Sequence, residues 1–164
     1  MFKKYTRGAL SLFFAVGFLL IGTAYLPAQT AAELQSVLAA PAVTCAQAAR
    51  FVIASSESAP SNTSGSAAAR QESYFRQAME KGWLPQGTTS DEKITLGKLS
   101  FLMMKAFDIK GGFMYSIFPV QRYAFRTMVS RSFIQGAADP DMTVTGERFL
   151  QILGNVTNAE GGES

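Results

Sequence analysis

Val144-Thr145-Gly146-Glu147-Arg148-Phe149-Leu150-Gln151-Ile152-Leu153 is the stretch on which the fold turns. A β-branched residue precedes a threonine, a polar residue follows three places later, and apolar residues stand four, seven and eight places after it. A threonine hydroxyl accepts a hydrogen bond from a first-turn amide, and the apolar spacing lays one stripe along a helix. The stretch therefore predicts the start of an amphipathic helix. Val43-Thr44-Cys45-Ala46-Gln47-Ala48-Ala49-Arg50-Phe51-Val52 and Ile94-Thr95-Leu96-Gly97-Lys98-Leu99-Ser100-Phe101-Leu102-Met103 repeat the pattern. The threonines are 51 and 50 positions apart, a period that reads as an internal repeat. Thr44, Thr95 and Thr145 are read as helix caps, Thr44 forming a capping box with Gln47.

The second and third units also match upstream. At an offset of 50, Phe75 meets Phe125, Arg76 meets Arg126, Met79 meets Val129, Trp83 meets Phe133 and Leu84 meets Ile134. Each unit reads as a helix, a turn carrying an aromatic and an aliphatic residue, a polar loop, and the Thr-capped helix. Gly82, Pro85 and Gly87 break the chain in one unit, Gly136 and Pro140 in the other. The first unit is truncated: its first helix reaches Thr44 through a short turn at Pro41. The expected fold is all-α, with six helices near 31–40, 44–56, 70–81, 95–107, 121–132 and 145–157. The expected core holds Phe51, Phe75, Met79, Trp83, Leu84, Leu99, Leu102, Met103, Phe125, Val129, Phe133, Ile134, Phe149, Ile152 and Leu153.

Ahead of these units the 164-residue chain opens with Lys3, Lys4 and Arg7, then the apolar core Leu10 to Ile21, then small and turn residues up to Leu26-Pro27-Ala28. Basic, apolar and small in that order is a secretory signal, with cleavage expected after Ala28, or at Ala31 or Ala32. An uncleaved anchor is the rival reading, since no charge falls between Gly8 and Ala32. Pro27 and the small residues favour cleavage. The expected division is 1–28 signal peptide, 29–56 truncated first repeat, 57–72 Ser/Ala-rich linker, 73–110 second repeat, 111–157 third repeat and 158–164 disordered tail. Export places the chain in the periplasm or on the cell envelope, and membrane contact follows only if the signal is kept. The connection Phe113 to Phe118 is apolar for a loop and is expected to pack beneath the helices.

Charge excludes one class of partner. The chain has 15 Lys and Arg against 12 Asp and Glu. Losing Lys3, Lys4 and Arg7 leaves it neutral, with no footprint for nucleic acid. Cys45 is the only cysteine, so no internal disulfide forms; it reads as a small buried residue, with an intermolecular disulfide as the other possibility. Histidine is absent, which removes the commonest general base and metal ligand. Asp139, Asp141, Thr143 and Glu147 lack the glycine and terminal bidentate glutamate of a calcium loop. Asp91-Glu92 sit in a polar loop with nothing to desolvate them. No catalytic residue, metal or cofactor is expected.

Helix, Gly-aromatic-aliphatic turn, polar loop and Thr-capped helix together resemble the S-layer homology family of bacterial envelope modules. The resemblance is nearest over Tyr123 to Leu153. Phe133-Ile134-Gln135-Gly136 is similar to the family's turn, Ala137 to Met142 to its loop, and Val144-Thr145-Gly146-Glu147 to its Thr-Arg-Ala-Glu signature. Tyr74 to Met104 is a looser match, and the first unit matches only through Val43 to Gln47. The resemblance implies three copies around a pseudo-threefold axis and attachment to peptidoglycan or a cell-wall-linked polymer. It also exposes a departure. Cys45, Leu96 and Gly146 occupy the places of the family's polymer-binding arginine, and none can pair with an acidic sugar as a guanidinium does. The remaining candidates for polymer binding are Arg76, Trp83, Lys98, Arg126 and Arg148. The alternative is a helical protein-interaction subunit that has lost polymer binding and docks an envelope protein.

Overall fold

The computed structural model describes residues 25–56 and 65–161. The basic and apolar parts of the signal segment, positions 57–64 of the linker and the last three residues of the tail lie outside the described residues. Seven helices and no β-strand are found among the described residues: α1 Tyr25–Leu38, α2 Cys45–Ala54, α3 Ala67–Glu80, α4 Leu96–Ala106, α5 Phe113–Ile117, α6 Gln121–Ser130 and α7 Gly146–Gly161. The fold is all-α. The chain divides into two compact units, residues 1–35 and residues 36–164; the account below concerns the second.

Three helix starts meet at its centre. The hydroxyl of Thr44 accepts from the Gln47 amide at 3.2 Å, that of Thr95 from Lys98 at 3.4 Å, and that of Thr145 from Arg148 at 3.4 Å. Gln47 Oε1 accepts in return from the Thr44 amide, which completes a capping box. The residue before each threonine is fully buried, and the three close a ring of hydrogen bonds. The Val43 amide donates to the Val144 carbonyl, Val144 to Ile94, and Ile94 back to Val43, at 2.9, 3.2 and 2.9 Å. A helix leaves its first amides without partners inside the helix. Here carbonyls of distant loops take them. Cys45 donates to the Glu92 carbonyl, Leu96 to Met142 and Gly146 to Ala40, at 2.8 to 2.9 Å.

The residues that follow the three capping threonines are accounted for by this geometry. Cys45 and Leu96 are fully buried, and Gly146 is buried where α7 begins. Long cationic side chains have no path to solvent from these positions. Burial pushes the Cys45 thiol from an ordinary value near 9 up to about 11. The thiolate, not the thiol, attacks alkylating reagents. Alkylation of the native protein at pH 8 is therefore expected to be slower than that of the denatured chain by about two orders of magnitude or more, as followed by mass spectrometry; equal rates would show Cys45 to be accessible. Since the folded value is raised, the associated stability is complete below pH 9 and is lost as the pH climbs toward 11.

After α3 and α6 the chain turns in the same way. The Trp83 amide donates to the Ala78 carbonyl at 2.8 Å and Phe133 to Met128 at 3.0 Å, with Gly82 and Ser132 in the left-handed region at φ 65° and 60°. These turns swing Leu84, Phe133 and Ile134 into the core and leave Trp83 half-buried.

Several sequence expectations are corrected. α1 begins at Tyr25, ahead of position 31. α3 starts within the stretch read as linker, because the Ser66 hydroxyl caps it by accepting from the Ala69 amide. α7 runs on to Gly161, past position 157 and into the stretch read as a disordered tail. Val129 is 40 % exposed, since Ala124, Thr127 and Met128 form the inward face of α6. The connection Phe113 to Phe118 does not pack beneath the helices. It forms α5, which buries Tyr115 and turns Phe113, Met114, Ile117 and Phe118 outward.

A candidate anion-binding groove between α4 and α6

Four of the five candidate binding residues sit apart from one another in their roles. Arg148 is bound into its own loop: its guanidinium donates to the carbonyls of Ala137 at 2.7 Å and Gln135 at 3.2 Å, and lies 3.1 Å from the Met142 sulfur. Lys98 is ion-paired with Glu92, which holds that carboxyl below its usual range. Trp83 carries the Lys81 ammonium over its ring at 4.6 Å. Arg76 is exposed on α3. Arg126 is different, because it lines a groove of about 490 Å³ with Gly97, Gln121, Arg122, Phe125, Pro140 and Asp141.

Local periodicity builds one wall. Gln121, Arg122, Phe125 and Arg126 recur at helical spacing on α6, opposite the buried face of Ala124, Thr127 and Met128. The start of α4 and the loop before Thr145 build the other. Gly97 lets them come close: its amide donates to the Pro140 carbonyl at 2.8 Å, and a Cβ there would lie 3.1 Å from that oxygen. The α4 amides of Leu96, Gly97 and Lys98 are all engaged, so the helix terminus itself has no donor left for an anion. The groove's positive character comes from side chains. Arg122 and Arg126 lie four apart on one helical face, where like charges repel by a few tenths of a kcal/mol. Neither guanidinium has a hydrogen bond or ion pair among the described residues. An anion entering the groove would relieve that repulsion and meet planar donor forks beside the Phe125 ring.

A second groove of about 310 Å³ lies between α2 and α3, lined by Thr44, Ala46, Gln47, Ala68, Gln71, Glu72, Ser90 and Asp91. Gln71, Glu72, Ser90 and Asp91 stand fifty positions before Gln121, Arg122, Pro140 and Asp141. Glu72 thus takes the place of Arg122, and this groove carries acidic groups without an arginine. Arg122 escaped the sequence reading, although its spacing from Arg126 in an otherwise balanced chain was a usable signal. Asp139 Oδ1 accepts from the Asp141 amide at 2.8 Å, which makes it part of a turn. Among the described residues no cluster of His, Cys, Asp or Glu is placed to hold a metal ion, and no helix is long and apolar enough to cross a membrane. Comparison with family models, curated proteins and solved structures finds no match to the chain.

Proposed function

We propose that this chain is an exported, non-enzymatic envelope module of S-layer homology type. In this reading it grips an anionic cell-wall polymer, free or linked to peptidoglycan, in the groove between α4 and α6. The observation that carries the reading is the gathering of Arg122, Phe125 and Arg126 on one wall of a groove whose other wall holds the single carboxylate Asp141, with neither guanidinium ion-paired among the described residues. Polymer sites of this chemistry need guanidinium forks for acidic groups and an aromatic face for the sugar ring. Three further features support the module type: the fifty-residue spacing, the three Thr-capped helix starts and the hydrogen-bond ring joining Val43, Ile94 and Val144. Export rests on the basic, apolar and small order of residues 1–28.

Sedimentation of the full chain with isolated cell-wall sacculi tests the reading. Charged hydrogen bonds of this kind contribute about 1.5–3 kcal/mol each, so Arg122→Gln with Arg126→Gln is expected to weaken retention at least tenfold. Arg76→Gln, on the exposed surface of α3, is expected to leave it unchanged. Wild-type protein that stays in the supernatant, or a double variant that sediments like wild type, sinks the polymer reading. The replacement would then be the protein-interaction subunit.

A further inference from the structure

We propose that α5 is a docking surface for an acidic lipid bilayer, separate from the groove that holds Arg122. Phe113 is 78 % exposed, and Met114, Ile117 and Phe118 are exposed beside it. Phe113, Met114 and Ile117 lie on the outward side of α5, away from Tyr115, and Phe118 follows at its C-terminal end. A contiguous apolar face of this kind on a protein surface marks an interaction site.

The face is held rigidly. Tyr115 packs edge-on against Phe101, with centroids 6.4 Å apart, and Lys105 lies over both rings. Gly111 permits this approach: a Cβ there would come within 2.3 Å of the Tyr115 ring. Arg131 fastens the entry to α5 by donating to the Lys110 carbonyl at 2.7 Å.

Charge selects the occupant. From 105 to 131 the chain carries Lys105, Lys110, Arg122, Arg126 and Arg131 against Asp108 alone. Outside that stretch, from residue 29 onward, acidic residues outnumber basic ones by 11 to 7. Contacts bring these basic residues to α5: Lys105 lies over the Tyr115 ring, Arg131 holds the Lys110 carbonyl at its entry, and Arg126 shares a cleft with Phe113, Met114 and Tyr115. A second copy docking symmetrically through α5 would set two positive faces against each other, at an electrostatic cost. An acidic bilayer satisfies both features: cations pair with headgroups while Phe113, Met114, Ile117 and Phe118 enter the acyl boundary.

The full chain labelled with an environment-sensitive fluorophore at Ile117→Cys tests this, because Cys45 is buried and α5 reports for itself. Vesicles of phosphatidylcholine containing phosphatidylglycerol are expected to raise and blue-shift the emission, and high salt to reverse the change. Lys110→Glu, a two-charge change at an exposed position, is expected to weaken the response about thirtyfold in lipid concentration, with unchanged far-ultraviolet circular dichroism. Arg76→Gln, exposed on α3, is expected to leave it intact, and Lys110→Glu is expected to sediment with sacculi like wild type, which keeps the two tests distinct. An equal response to pure phosphatidylcholine, or none to either vesicle, overturns the proposal. A signal that rises with protein concentration in the absence of lipid overturns it in favour of a second copy.

Discussion

Phe149→Ala is expected to lower the stability of the folded unit by about 3–5 kcal/mol. Phe149 is among the largest fully buried side chains, and its ring meets Phe51 edge-on with centroids 6.3 Å apart. It stands four residues after Thr145, at the point where the stripe of α7 first enters the core. Truncation removes the transfer energy of the ring and leaves a cavity that three interlocked helix starts cannot close. Domains of this size have only about 5–15 kcal/mol in hand. Urea unfolding followed by circular dichroism should show a large fall in midpoint at constant slope. Val129→Ala is the control: that side chain is 40 % exposed, and the expected change is within about 0.5 kcal/mol. A loss below about 1 kcal/mol for Phe149→Ala would contradict the packing described for α7.

Two glycines of the same helix are expected to respond with opposite signs. Alanine is the better helix former by about 0.8–1.0 kcal/mol, so propensity alone predicts that both substitutions stabilise α7. At Gly154 a Cβ would meet nothing within 4 Å, and Gly154→Ala is expected to deliver part of that gain. At Gly146 a Cβ would lie 1.7 Å from the Val37 carbonyl oxygen and 3.0 Å from that of Leu38. Those atoms are backbone, so no rotamer change relieves the clash. The Gly146 amide is also tied to the Ala40 carbonyl at 2.9 Å, which fixes the approach of the end of α1 to the start of α7. Overpacking of this severity belongs at or beyond the upper end of the 1–3 kcal/mol range, so Gly146→Ala is expected to cost about 3 kcal/mol. Thermal melts of the two variants check it. Stabilisation by both would mean that α1 does not seat against Gly146.

How much could be read before the structure depends on the range of the forces involved. A threonine cap is closed within three residues and an apolar stripe within eight, so both are visible in a short window of sequence. The same window does not set the outward face of α5. Its apolar content was plain, but Tyr115 faces inward because Phe101 and Lys105 are there to receive it, and the remaining apolar residues follow from helical geometry. Val129 failed for a related reason: the fifty-residue offset paired it with Met79, whereas the inward face of α6 is formed by Ala124, Thr127 and Met128.

The binding candidates divide along the same line. Residue type alone marked Arg126 and Arg148 as equals. Three carbonyl and thioether contacts turn Arg148 into the clasp of its loop, and the absence of any such contact leaves Arg126 facing the groove with Arg122. What the sequence determined by itself is the helical class, the three capped starts and their fifty-residue period, since these follow from hydrogen bonds and periodicities that a few neighbouring residues complete. Where those starts meet is set by tertiary packing. The Val43–Ile94–Val144 ring and the carbonyls that take the Cys45, Leu96 and Gly146 amides join residues about fifty or more positions apart, and the groove beneath Pro140 joins Gly97 to α6 and to the loop before Thr145. Such contacts depend on how whole helices pack, and no local pattern encodes them.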